Sequence, residues 1–249
     1  MKTNSAIYLT AFSLFIFACP STSKAQESEV QALIRRVETQ YQGKTSQAVC
    51  KMQVVTAKWT REMTLEMWSK GREQFLVQVI APKKDEGVAS LKIGNEMWNY
   101  LPNIDRLVKI PSSLMGESWM GSHLTNDDLV KENEVDKLYD LTMKRNGNIA
   151  EITGVPKPNV AVVWGKIIYT IDTERLVSLS TRYYDEENVL VRTITSDNVQ
   201  RISGRWIPLR MLVQPEEKPG ERTELNYQKL EFDVRLADDF FSIRSLRRR

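Results

Sequence analysis

His123 is the single imidazole of the sequence, and Ser118 and Asp127 both lie within five residues of it. A serine, a histidine and an aspartate are the residue types of nucleophilic acyl transfer. The surrounding Gly116-Glu117-Ser118-Trp119-Met120-Gly121 reads G-x-S-x-x-G, not the G-x-S-x-G of a serine-hydrolase elbow, and no strand-then-helix pattern frames it. Residues so close together in one loop seldom reach triad geometry. The acidic pairs Asp127-Asp128 and Asp238-Asp239 are adjacent in sequence, which suits helix capping and turns better than a shared proton. One histidine and two cysteines, Cys19 and Cys50, cannot supply a His-rich metal site or a four-cysteine zinc site. With no glycine-rich phosphate loop or dinucleotide fingerprint either, no cofactor and no catalytic residue is expected. Binding is the more promising question.

The elements that must hold these residues begin after an address. Lys2 precedes a mostly apolar run over 6–18, and small and polar residues follow as far as Ser23-Lys24-Ala25. That order is the order of a Sec signal peptide, with cleavage expected after Ala25 and an exported chain as the consequence. The run is about 13 residues, short of the ~20 that a spanning helix needs. A lipidated Cys19 would need a small residue where Phe17 stands, and Pro20 follows it. Residues 26–249 are then expected to form a single domain in which Cys50 has no disulfide partner and behaves as a small buried hydrophobe. The whole chain of 249 residues carries 35 Lys+Arg against 32 Asp+Glu, with 41% hydrophobic residues. That excludes a disordered chain, and the small, dispersed charge gives no field for nucleic acid.

Over 27–41 the apolar residues Val30, Leu33, Ile34, Val37 and Tyr41 form one stripe of an amphipathic helix, ended by Gly43. Short alternating or apolar runs then follow at 47–58, 61–69, 74–80, 88–93, 96–101 and 106–110. A second series covers 135–145, 148–153, 160–171, 175–184, 189–199, 205–213 and 222–234. Turn residues such as Asn146-Gly147 separate them. About a dozen antiparallel strands suit one large curved sheet or barrel. Residues 111–131 have no such period and read as a lid loop with one or two short helices, Thr125 being an N-cap with Asp128 three residues on. Several strands carry large apolar residues on both parities, as Met63, Leu65 and Met67 do beside Trp68. A well-filled barrel core or a residual apolar cavity would each account for that.

The signal peptide and leading helix recur in a known family, together with Met97-Trp98-Asn99-Tyr100-Leu101-Pro102 and Arg106. Met120-Gly121-Ser122, Asp127-Asp128-Leu129 and Asp238-Asp239-Phe240-Phe241-Ser242 complete the set. In this order they resemble the outer-membrane lipoprotein-sorting proteins, the LolA/LolB-like group, over about residues 27–246. Where the family runs Met-Gly-Ser-Asp-Phe, this chain has His123 and Leu124 in the last two places. The resemblance implies a mainly β chain: an unclosed antiparallel β-barrel of about eleven strands, covered by an N-terminal helix and a helical lid loop. It also implies a periplasmic carrier of lipid or acylated lipoprotein cargo, with an inner-membrane transporter and an outer-membrane acceptor as partners. The alternative is a module that docks on an inner-membrane exporter and carries nothing. An acyl chain in water costs ~0.8 kcal/mol per CH2, a cost that an apolar cavity removes. Met63, Leu65, Met67 and Trp98 are expected in the wall of such a cavity, and Leu114, Met115, Trp119 and Met120 in its lid.

Overall fold

The computed structural model describes residues 28–131 and 134–246. The expected signal peptide with Cys19, and the arginines 247–249, lie outside the described residues. The apolar stripe near the N-terminus forms helix α1 (Glu29–Gln42), which buries Val30, Leu33, Ile34 and Val37. Ser28 starts it with a capping box, its hydroxyl accepting from the Gln31 N–H and the Gln31 side chain accepting from the Ser28 N–H. Gly43 ends it at φ 61°, where glycine is the residue at ease.

Alternation with period two then builds strands β1 (Thr45–Val55), β2 (Thr60–Lys70), β3 (Gln74–Ala81), β4 (Ala89–Ile93), β5 (Glu96–Leu101) and β6 (Arg106–Lys109). The connecting segment holds short 3-10 turns at Ser112–Leu114 and Trp119–Gly121, helix α2 (Asn126–Lys131) and the single turn α3 (Val135–Leu138). Strands β7 (Tyr139–Asn146), β8 (Ile149–Pro156), β9 (Lys166–Asp172) and β10 (Val177–Tyr184) follow. Then come β11 (Leu190–Ile202), β12 (Arg205–Pro215), β13 (Arg222–Phe232) and the short helix α4 (Ile243–Leu246). Two sequence expectations shift. The run expected at 135–145 opens as helix α3, and the run expected from 160 becomes strand only at Lys166.

All thirteen strands form one antiparallel sheet in the order β6-β5-β4-β3-β2-β1-β13-β12-β11-β10-β9-β8-β7. The ends of the order, β6 and β7, are edges that do not pair with each other, so the barrel is unclosed. At ~4.8 Å between strands a flat sheet of this width would span about 58 Å. Yet Cys50, Leu65, Val77, Met97, Ile152, Ile171, Ile194, Val213 and Leu225 join one core cluster, so the sheet is strongly curled. Helix α1 and Val130 of α2 pack into the same cluster on the concave side.

The convex side of β2–β5 has its own core. Trp68, Leu76, Leu91, Trp98 and Tyr100 are buried there against Phe241 and Leu246, with Phe240 edge-on to Trp68 at 5.5 Å between ring centroids. The register separates the two faces. Met67, Val77, Ser90 and Asn99 stand opposite one another on one face, and Trp68, Leu76, Leu91 and Trp98 on the other. Both parities of these strands are apolar because both faces are covered.

Candidate functional site

Between α1, the concave face of the sheet and the segment from Trp119 to Tyr139 lies a cavity of about 280 Å³. Its apolar wall includes Ile34 and Val37 of α1, Met67 and Phe75 of the sheet, and Trp119, Leu124 and Leu129 of the lid segment. Ile194, Met211 and Leu225 line the far side. A patch lined by Glu38, Gln42, Arg72 and Lys92 is polar. The volume sits near the lower limit of the ~300–1,000 Å³ usual for small-molecule sites.

The lid segment is tied down by charge. Thr125 and Asp128 cap α2 reciprocally, the Thr125 N–H donating to Asp128 Oδ2 (2.6 Å) and the Asp128 N–H to Thr125 Oγ1 (3.1 Å). The same carboxylate receives both terminal nitrogens of Arg192 on β11 at 2.7 Å each, and the Trp164 Nε1–H at 3.1 Å. Arg192, only 3% exposed, also donates to the His123 carbonyl (2.9 Å), and its guanidinium lies over the rings of Trp164 and Tyr183. Burial by itself would raise the Asp128 carboxyl, but the Arg192 charge and hydrogen bonds, with those from Thr125 and Trp164, hold it below its ordinary value. Its neighbour Asp127 is pushed up by burial, against the opposing pull of the Lys131 ammonium 2.6 Å away. Trp119 completes the closure, buried and donating from Nε1 to Ser90 Oγ (3.0 Å).

The hydrolase residues do not meet. The Ser118 hydroxyl donates to the Ser122 carbonyl (2.6 Å), and Asp127 pairs with Lys131. The His123 ring sits between Thr223 Oγ1 (2.9 Å) and Glu221 Oε2 (3.2 Å). His123 therefore pins the lid segment to β13. Cys50 is fully buried, and burial pushes its thiol up to about 12. Among the described residues no group of three or more His, Cys, Asp or Glu side chains could hold a metal ion.

A protein-family model described as "Uncharacterized protein" matches residues 71–248. Three solved structures share the fold. A DUF1329 family protein from Desulfovibrio piger is 23% identical, with a TM-score of 0.79 over 87% of this chain and 97% of that one. An outer membrane lipoprotein-sorting protein domain from Vibrio parahaemolyticus is 20% identical, with a TM-score of 0.77 and the same coverage. A LolA superfamily protein from Nitrosomonas europaea is 16% identical, with a TM-score of 0.71 over 86% of this chain and 98% of that one. The chain belongs to the family of that matching model, and its fold is LolA-like. No curated protein matches it.

The LolA-like fold disperses the eight residues picked from the sequence. Met67 and Trp119 line the cavity. Met63 and Leu65 share the concave face with Met67 but are wholly buried in the core beyond it, while Met115 and Met120 pack against that core from the lid segment. Leu114 is 44% exposed and does not line the cavity. Trp98 corrects the expectation most clearly, since its parity puts it on the convex face opposite Leu91, with Lys109 Nζ 5.6 Å from its ring centroid. The cavity and the latch on its lid segment also use residues that sequence reasoning passed over: Arg72, Lys92, Trp164, Tyr183 and Arg192. Lys92 and Arg192 could have been flagged, because each is a lone cation within an apolar strand run, at positions where burial forces a partner.

Proposed function

We propose that this protein is an exported, periplasmic carrier that holds acyl chains of lipids or lipoproteins in its concave cavity and hands them on toward the outer membrane without covalent chemistry. The observation that carries this reading is the cavity itself, an apolar space enclosed by a curled sheet, an amphipathic helix and a latched lid segment. Each CH2 of cargo withdrawn from water into it gains ~0.8 kcal/mol, and Met67, Met211 and Leu129 offer adaptable walls for an irregular chain. The N-terminal sequence order supports export with cleavage after Ala25, residues 26–249 remaining as the single carrier domain. No helix among the described residues is long and apolar enough to cross a membrane. Loading and delivery need a membrane transporter and an acceptor. Trp59, Ile104 and Leu114, large apolar side chains exposed on connecting segments, support contact with such partners.

The test is titration of the purified folded protein with the fluorescent fatty acid 11-(dansylamino)undecanoic acid, joined to native mass spectrometry of protein taken from its own compartment. Saturable one-to-one uptake is expected, reduced by Val37→Trp, which fills the cavity from α1. Absence of saturable uptake by folded protein would overturn the reading and favour a docking module that carries nothing.

A further inference from the structure

The polar patch of the cavity is built from both its covering helix and its wall. Arg72, in the turn between β2 and β3, donates to Asp136 Oδ1 of α3 (2.6 Å) and lies 2.8 Å from Glu38 Oε2 of α1. Arg35 reaches the same Asp136 carboxylate at 3.0 Å. Lys92, only 3% exposed on β4, points its ammonium at the Arg72 carbonyl (3.1 Å). Three cations and two carboxylates thus gather where the sheet meets α1. Two further buried atoms have no hydrogen-bond partner among the described residues: Arg72 Nε, a donor, and Gln42 Oε1, an acceptor, on residues that both line the cavity. Leaving a buried polar atom unsatisfied costs about 1–3 kcal/mol, and a guest carrying both an oxyanion and a hydroxyl would satisfy the pair.

We infer that this patch is a head-group subsite, and that the cavity takes a single-chain anionic amphiphile. Its carboxylate or phosphate would meet Arg72 and Lys92, and its tail would run among Phe75, Trp119, Leu124 and Ile194. The volume agrees, since about 280 Å³ is small for a lipid of two or three chains. The inference rests on the carrier reading and narrows its cargo.

Displacement of the neutral probe N-phenyl-1-naphthylamine from the full-length folded protein tests it, using dodecanoate, dodecyl phosphate, dodecanol and dioleoylphosphatidylglycerol as competitors. Dodecanoate or dodecyl phosphate should compete at least about tenfold more tightly than dodecanol, the ratio expected for a charge-assisted hydrogen bond. Whichever of the two is tighter names the head. Lys92→Met, which keeps the length of the side chain, should erase that preference and leave dodecanol unchanged, and Gln42→Met should weaken the hydroxylated 3-hydroxydodecanoate more than dodecanoate. Equal binding of acid and alcohol, or a preference untouched by Lys92→Met, overturns the head-group subsite while the carrier reading stands. Tighter binding of the diacyl lipid than of either single-chain anion overturns the single-chain cargo. Failure of the neutral probe and of every competitor to bind overturns the carrier reading as well.

Discussion

Arg192 has 97% of its side chain withdrawn from solvent, and one carboxylate answers its charge. Asp128→Asn would leave that cation buried without compensation, so a loss of about 3–5 kcal/mol is expected in the free energy of unfolding by urea. Adding Arg192→Met should restore most of it, because a buried pair replaced together by neutral groups is close to neutral in energy. The acid side follows the same carboxylates. Asp128 and Asp136 are both held below the ordinary value, burial opposing and their arginine partners prevailing. Their contribution is complete above the unfolded value of ~3.9 and is lost as pH falls through the folded one. Asp127, pushed up by burial, acts with the opposite sign as pH rises. Thermal melts should therefore fall steeply below about pH 4, and Asp128→Asn should lose less on acidification than the native chain. Cys50, with its thiol pushed up to about 12, should resist maleimide until the protein unfolds, as mass spectrometry after timed labelling would report. At this scale the sequence showed what is local. The Thr125–Asp128 cap was legible at a spacing of three, whereas Arg192 lies 64 residues from Asp128 and only the curled sheet brings them together.

Helix α1 was legible for the same reason, since its stripe and its cap both sit within one stretch of chain. Removing the cap hydroxyl with Ser28→Ala should cost about 1 kcal/mol, read as a lower urea midpoint at unchanged slope. Strands were legible as runs but not as faces. Met97 and Trp98 are both large and apolar, and nothing within β5 says which of them looks inward. The answer comes from Phe241 and Leu246, which cover the outer side from far along the chain. The segment 157–165 misled for another reason, as its apolar residues Val162, Val163 and Trp164 pack without joining the sheet. Gly165 shows how closely that segment is held. A Cβ there would lie 2.3 Å from the Asp185 carbonyl oxygen, a backbone atom that no rotamer change can clear. Gly165→Ala should therefore cost about 1–3 kcal/mol by thermal unfolding and disturb the Trp164 ring that Arg192 stacks upon. An unchanged melting temperature would show that the β10–β11 turn yields freely.

On the scale of the molecule, the sheet is continuous everywhere except between β6 and β7, and β1 and β13 lie at its middle. Hydrogen exchange should follow that order, slowest for amides shared by β1 and β13 and fastest along β6 and β7, where one side of each strand has no neighbour. Faster exchange in β1 than in β6 would contradict the topology. That the chain makes one open, curled sheet was readable from the number of strands and from the family resemblance. The pairing of the first strand with the last was not, because no local pattern encodes a partner nearly a whole domain away. This pairing also sets a schedule. Ser46 finds its partner on β13 only when Phe232 has been made, and Trp68 and Trp98 are roofed only once Phe241 and Leu246 arrive. A partly synthesised chain thus keeps one side of β1 without its neighbour until its final fifth is present.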